Sequence, residues 1–200
     1  MPYILLGCTA FVLFIVFDLN KIYSVNKLLN ACFALGILIL IFATTGILWM
    51  NMASFQLSLP VRVFLGLLSA AALWMQFYVL FFAIPFKGTY LEESGHGKIP
   101  VSSEGPFMLS RHPGVPWLVF FYLFLWLVSG NHLILWAGII WTILNVLHVY
   151  IQDRWLFPMY FDQYDIYKQH VPFILPNKYS MNRYLDSLRR GRSDESRQKT

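Results

Sequence analysis

The stretch Glu104–Pro113, EGPFMLSRHP, runs directly into the apolar segment Val115–Val128, and this junction decides how the chain is built. Most of the sequence reads as lipid-facing helix. Here, at the edge of a membrane span, Gly105 and Pro106 signal a fixed turn, and Arg111 and His112 follow it. A guanidinium and a titratable imidazole at a bilayer interface can hold an anionic or zwitterionic ligand.

Outward from that junction the chain stays apolar. Of its 200 residues 58% are hydrophobic and 12% charged, which is too apolar for an ordinary soluble domain. Five runs reach or approach the length of about 20 residues that crosses a bilayer core. They are Pro2–Phe17, Leu28–Met50, Val61–Phe86, Gly114–Val128 and Leu133–Ile151. The first and fourth are short and must stand upright, thin the bilayer or lean on neighbours. No basic residue precedes the first run and no small-residue cleavage site follows it, so a retained helix is expected there. The expected fold class is all-α: a polytopic membrane helix bundle of about five transmembrane helices, with a cytosolic C-terminal cap of short helices. A single membrane domain is expected over 1–190, and a disordered basic and polar tail over 191–200.

The basic residues orient this bundle. With five spans, Lys21, Lys27, Lys87, Lys98, Arg111 and every Lys and Arg after Ile151 fall on one side, and Arg62 alone falls on the other. Cytoplasmic loops carry the excess of Lys and Arg, so the N-terminus is expected outside and the C-terminus in the cytosol. The net charge of +5 is then a topology signal with some attraction to anionic headgroups. No aromatic–basic patch or nucleic-acid-binding signature is present. Membrane lipids are the expected partners, and nucleic acid is not.

Span three carries Gly66, Ser69 and Ala70–Ala72, small residues that let helices approach, and Gln76, expected to hydrogen-bond within the bundle. The loop Lys87–Pro113 is rich in Gly, Ser and Pro; a loop of that length is usually functional or disordered, and an ordered interfacial loop is expected here. Its segment Lys98–Ser103 is extended in character. Spans four and five are joined by the tight turn Ser129–His132. Span five then carries Asn145, His148 and Gln152 on one helix face, with Asp153 next at the membrane edge. Such polar groups face a bundle interior or a cavity. They are either a structural hydrogen-bond network or a ligand site opening to the cytosol, and their level beside Arg111 and His112 favours the second. Pro158 is expected to interrupt any longer helix. Beyond it come a short interfacial helix over Asp162–Gln169, an extended segment Val171–Pro176, and a basic helix Met181–Arg190 lying on the membrane.

No glycine-rich phosphate loop, paired-cysteine metal site or nucleophile elbow occurs. His96, His112, His132, His148 and His170 lack metal-ligand spacing, so no metal is expected. Cys8 and Cys32 are placed near opposite ends of adjacent spans and read as small packing residues.

Gly105-Pro106-Phe107, Arg111-His112-Pro113, a helical hairpin, an acidic position at Gln152-Asp153, then Tyr164, Tyr167, Lys168 and Val171-Pro172 appear in a fixed order. Over residues 98–177 this order resembles integral membrane methyltransferases of the isoprenylcysteine carboxyl methyltransferase and phospholipid methyltransferase kind. Departures are Val115 for Tyr, Trp117 for Gly, Phe161 for the Gly after an aromatic, and Gln152 for the first Glu of a pair. The resemblance implies S-adenosylmethionine as cofactor and a lipophilic or lipid-modified substrate that enters from the bilayer. It implies a cofactor site at Gly105, Pro106, Arg111, His112, His148, Gln152 and Asp153. Arg111 and His112 would meet the cofactor carboxylate, Asp153 would accept from its amine or hydroxyls, and Arg111 and Asp153 would be the catalytic pair. Methyl transfer from a sulfonium needs alignment and desolvation more than acid–base machinery, which suits a site without an obvious dyad. The C-terminal portion also resembles NADPH-dependent membrane sterol reductases. The altered positions keep open a third reading, a catalytically degenerate scaffold or lipid-binding protein.

Overall fold

In the computed structural model, residues 1–23, 26–50, 52–82, 99–100 and 105–198 are described. The long helices are α1 (Pro2–Tyr23), α2 (Ala31–Trp49, entered through a 3₁₀ turn at Lys27–Asn30), α3 (Leu59–Phe81), α5 (Gly114–Ser129) and α6 (His132–Ile151). The one-turn helix α4 (Pro106–Leu109) precedes α5. After α6 come a π-turn at Gln152–Leu156, α7 (Phe157–Tyr160), α8 (Tyr164–His170) and α9 (Lys178–Gln198). Two-residue strands, β1 (Ile99–Pro100) and β2 (Phe161–Asp162), pair in parallel. Four helical segments are long and apolar enough to cross a membrane, and α5 is a shorter apolar helix of 16 residues.

Helix α6 holds the centre: α1 and α5 pack against it, α2 packs on α1, and α3 packs on α5. The packed seam is built from Ile4, Phe11, Ala43, Ile47, Tyr122, Ile134, Ala137 and Trp141. Trp141 is fully buried because Gly7 leaves room for its indole on α1, and its Nε1–H donates to the Ile4 carbonyl at 3.1 Å. A buried hydroxyl pair between Thr44 and Tyr122 at 3.0 Å lets each satisfy the other and ties α2 to α5. Leu38, Phe42, Leu67, Trp74, Ile143 and Leu147 stand on the outside. An apolar surface of that extent suits lipid and not water.

Several expectations change here. Helix α1 runs on to Tyr23, past Phe17, carrying Lys21 inside it. The polar residues that looked like a loop find partners: Asp18 is held from α6, and the Asn20 side-chain amide donates to Asn30 at 2.9 Å. Pro158 does not end the helical path. The ladder first widens to an i→i+5 bond, Phe157 N–H to the Gln152 carbonyl, and Pro158, which has no N–H, falls in the first turn of α7. Helix α9 continues in backbone to Gln198. Gln76 Oε1 is buried with no hydrogen-bond partner among the described residues, where a side chain on Gly114 would crowd it. Most of the Lys87–Pro113 loop, with His96 and Glu104, lies outside the described residues. Its Ile99–Pro100 piece is extended as expected.

At the α5–α6 hairpin, Gly130 takes φ +64° and lies so close to the Phe55 carbonyl that a side chain could not enter. Asn131 follows, only 2% exposed; its Oδ1 accepts from Leu133 N–H at 3.0 Å and its Nδ2 donates to the Ile47 carbonyl at 3.0 Å. It both caps α6 and ties the hairpin to α2. Asn131→Ala should lower stability by about 1–2 kcal/mol, read as the shift in denaturant-induced unfolding in detergent.

Candidate functional site

The site forms where α5 begins and α6 ends. Gly105 takes φ +54°, Pro106 opens α4, and that single turn delivers the chain into Arg111 and His112. These two residues are fixed by backbone pairing with the segment after α8. Arg111 N–H donates to the Pro172 carbonyl at 2.9 Å and His112 N–H to the Phe173 carbonyl at 3.1 Å. A physical link thus joins the two separated motifs, RHP and VP. Tyr167 adds a second tie, its hydroxyl donating to the Phe107 carbonyl at 2.7 Å.

Asp153 is presented by the π-turn, a local widening of the helix that recurs at functional sites. It is buried, and four groups converge on it. Arg111 Nη1 reaches both carboxylate oxygens, at 2.8 and 2.9 Å. The Tyr164 hydroxyl donates to Oδ1 at 2.8 Å. Lys168 Nζ donates to the Asp153 carbonyl at 3.1 Å and stands 3.6 Å from Oδ2. His112 Nε2 lies 3.5 Å from Oδ1, outside hydrogen-bonding geometry. Burial and the adjacent carboxylate raise the Tyr164 phenol well above its ordinary range, so it acts as a donor only.

Two cations and one carboxylate leave this cluster with a surplus positive charge. Two nitrogens remain open: Arg111 Nε and His112 Nε2 are buried with no hydrogen-bond partner among the described residues. Aromatic rings hold both side chains in place. His112 stacks on Phe157 with ring centroids 5.7 Å apart and meets the edge of Phe173 at 5.1 Å, while the Arg111 guanidinium lies 5.5 Å over Phe173. Burial pushes the His112 pKa below its ordinary 6.5, and the Asp153 carboxylate only partly offsets this. His112 is therefore a neutral imidazole at pH 7.

His148 and Gln152 belong to a second cluster. His148 Nε2 is 2.7 Å from Asp18 Oδ2, and Gln152 Nε2 donates to the same oxygen at 2.8 Å. Phe14 stacks on the His148 ring at 5.9 Å. The predicted site residues thus divide: Arg111, His112 and Asp153 meet, while His148 and Gln152 tie α6 to α1. The sequence reading passed over Asp18. Its signal was a lone carboxylate just beyond an uncharged apolar run, and intramembrane carboxylates seldom lack a role. Gly105 and Pro106 shape the approach to Arg111. Trp117, half-buried, packs its ring on Phe120 at 6.1 Å. Cys8 and Cys32 are free. Among the described residues no three His, Cys, Asp or Glu side chains gather as a metal site would require. No family model, curated protein or solved structure matches this chain.

Proposed function

We propose that this chain is an integral membrane methyltransferase that uses S-adenosylmethionine and acts on a lipophilic substrate entering from the bilayer. The observation that carries the reading is the pair of buried nitrogens on Arg111 and His112 that have no hydrogen-bond partner among the described residues, inside a cluster of surplus positive charge. A cofactor carboxylate supplies the acceptor oxygens such nitrogens require. Asp153 then both anchors Arg111 and offers its remaining acceptor capacity to the cofactor amine or a hydroxyl. The exposed apolar faces of α2 and α3 support substrate entry from lipid rather than water.

One observation favours a different reading. Asp153 is already engaged by Arg111, Tyr164 and Lys168, which is how a purely structural clamp in a catalytically degenerate relative would be built. Calorimetric titration of the detergent-purified protein separates the readings. S-adenosylhomocysteine should bind and NADPH should not. NADPH binding alone would indicate a reductase, and binding of neither would favour the scaffold.

In the proposed topology α5 is a fifth span, shortened by its neighbours α3 and α6, with the N-terminus outside and the C-terminal cap in the cytosol. The distribution of Lys and Arg supports it. Ser193→Cys should react with a membrane-impermeant thiol reagent only after the membrane is permeabilised. Labelling in intact cells would reverse the orientation.

A further inference from the structure

We propose that the cavity between α4, α8 and α9 binds the phosphate-bearing headgroup of an anionic membrane lipid. The cavity measures about 410 Å³, and its walls include Met108, Ile166, Tyr167, His170, Tyr179 and Arg183. It is separate from the Asp153 cluster, although Tyr167 contributes to its wall while tying α8 to α4. The proposal does not depend on the methyltransferase reading.

Arg183 is the central observation. It is half-buried, its guanidinium lies 5.8 Å over the Tyr179 ring, and it forms no ion pair among the described residues. A partly desolvated cation without a counter-charge is unfavourable, and a phosphate diester supplies both the charge and a two-oxygen acceptor for the guanidinium fork. His170 is a second polar group in the wall. Its Nδ1 is engaged with the Ile166 carbonyl at 2.9 Å, leaving Nε2 for a ligand. Met108, Ile166 and Val171 give the wall an apolar part, as suits the glycerol end of a lipid, and Gln163 adds a third polar side chain.

The surroundings favour a lipid over a soluble phosphate. Helix α9 presents Met181, Leu185 and Leu188, each about half exposed, as a stripe at helical spacing. Arg183 projects from a different side of the same helix. An exposed apolar stripe on a basic helix at the end of a membrane bundle rests on the bilayer surface. That arrangement places the cavity at headgroup depth.

The test is native mass spectrometry of the detergent-purified full chain, titrated with dioleoylphosphatidylglycerol or dioleoylphosphatidylcholine. One phosphatidylglycerol should be retained in preference to phosphatidylcholine. Arg183→Gln should weaken that binding about tenfold, the loss expected when one charge-assisted contact is removed. Met108→Trp, which fills the cavity and keeps every charge, should weaken it similarly. Arg189→Gln removes the same charge from an 81% exposed position beside Asp186 and should leave binding unchanged. Equal retention of the two lipids overturns the proposal, as does an equal loss in Arg183→Gln and Arg189→Gln. Displacement of the lipid by equimolar glycerol phosphate would also overturn it, because the ligand would then be a soluble phosphate.

Discussion

Replacing Asp153 with alanine should destabilise the protein by about 3–5 kcal/mol, the range seen when one member of a buried ion pair is removed. Asp153 and Arg111 are only 10% and 11% exposed at their side chains, so solvent cannot take over the role of either partner. The alanine variant leaves the Arg111 guanidinium beside the Lys168 ammonium with no carboxylate between them, and the Tyr164 hydroxyl without its acceptor. Like charges then repel where opposite charges attracted. The loss should begin locally, because Tyr164 and Lys168 of α8 both reach Asp153.

The measurements follow from that picture. Denaturant-induced unfolding in detergent gives the size of the effect, and limited proteolysis shows where it starts. Cleavage after Lys168 or Lys178 should become faster before the membrane helices unfold. Asp165→Ala, an exposed carboxylate on α8, should stay within about 0.5 kcal/mol of the parent. Asp153→Asn keeps an acceptor for Tyr164 and should fall between the two. If Asp153→Ala matches Asp165→Ala in both measurements, the cluster does not hold the cap in place.

The bundle could be read from the sequence because its physical cause is one-dimensional. A bilayer demands long uncharged helices, and runs such as Leu28–Met50 contain nothing else. The ends of those helices were harder to read. Asp18, Asn20 and Lys21 look like the start of a loop, and Asp18 stays helical through His148 and Gln152, residues 130 and more positions away. The π-turn was equally hidden. A widened ladder leaves no local mark on the sequence, and Pro158 viewed alone argues for a break. At the site, motif order singled out Arg111, His112 and Asp153, which the fold brings together, and the structure adds how the VP element meets them: the carbonyls of Pro172 and of the next residue, Phe173, receive the Arg111 and His112 N–H groups. His148 and Gln152 share a helix with Asp153 but lean toward α1. Periodicity gives the face of a helix and not the neighbour that the face meets.

His112 offers the sharpest test of what the site binds. Its Nε2 is buried with no hydrogen-bond partner among the described residues, and its imidazole is neutral at pH 7. In the Nε2–H tautomer it presents a donor that a cofactor carboxylate would accept. His112→Phe retains a flat ring against Phe157 and Phe173 and removes both nitrogens, so packing is preserved while the donor is lost. S-adenosylhomocysteine affinity should fall about 10- to 100-fold, equivalent to roughly 1.5–3 kcal/mol for a hydrogen bond to a charged group. His132→Ala, at the opposite end of α6, should bind as the parent does. Acidity provides an independent check on the same side chain. Burial holds the folded-state pKa of His112 below 6.5, so its stabilising effect is complete above that value and is lost as the pH falls through the lower, folded-state pKa. His112→Phe should remove that part of the acid sensitivity while the parent retains it. Unchanged ligand affinity in His112→Phe, or an equal loss in His132→Ala, would take His112 out of the binding site and leave it as a packing residue between two phenylalanines.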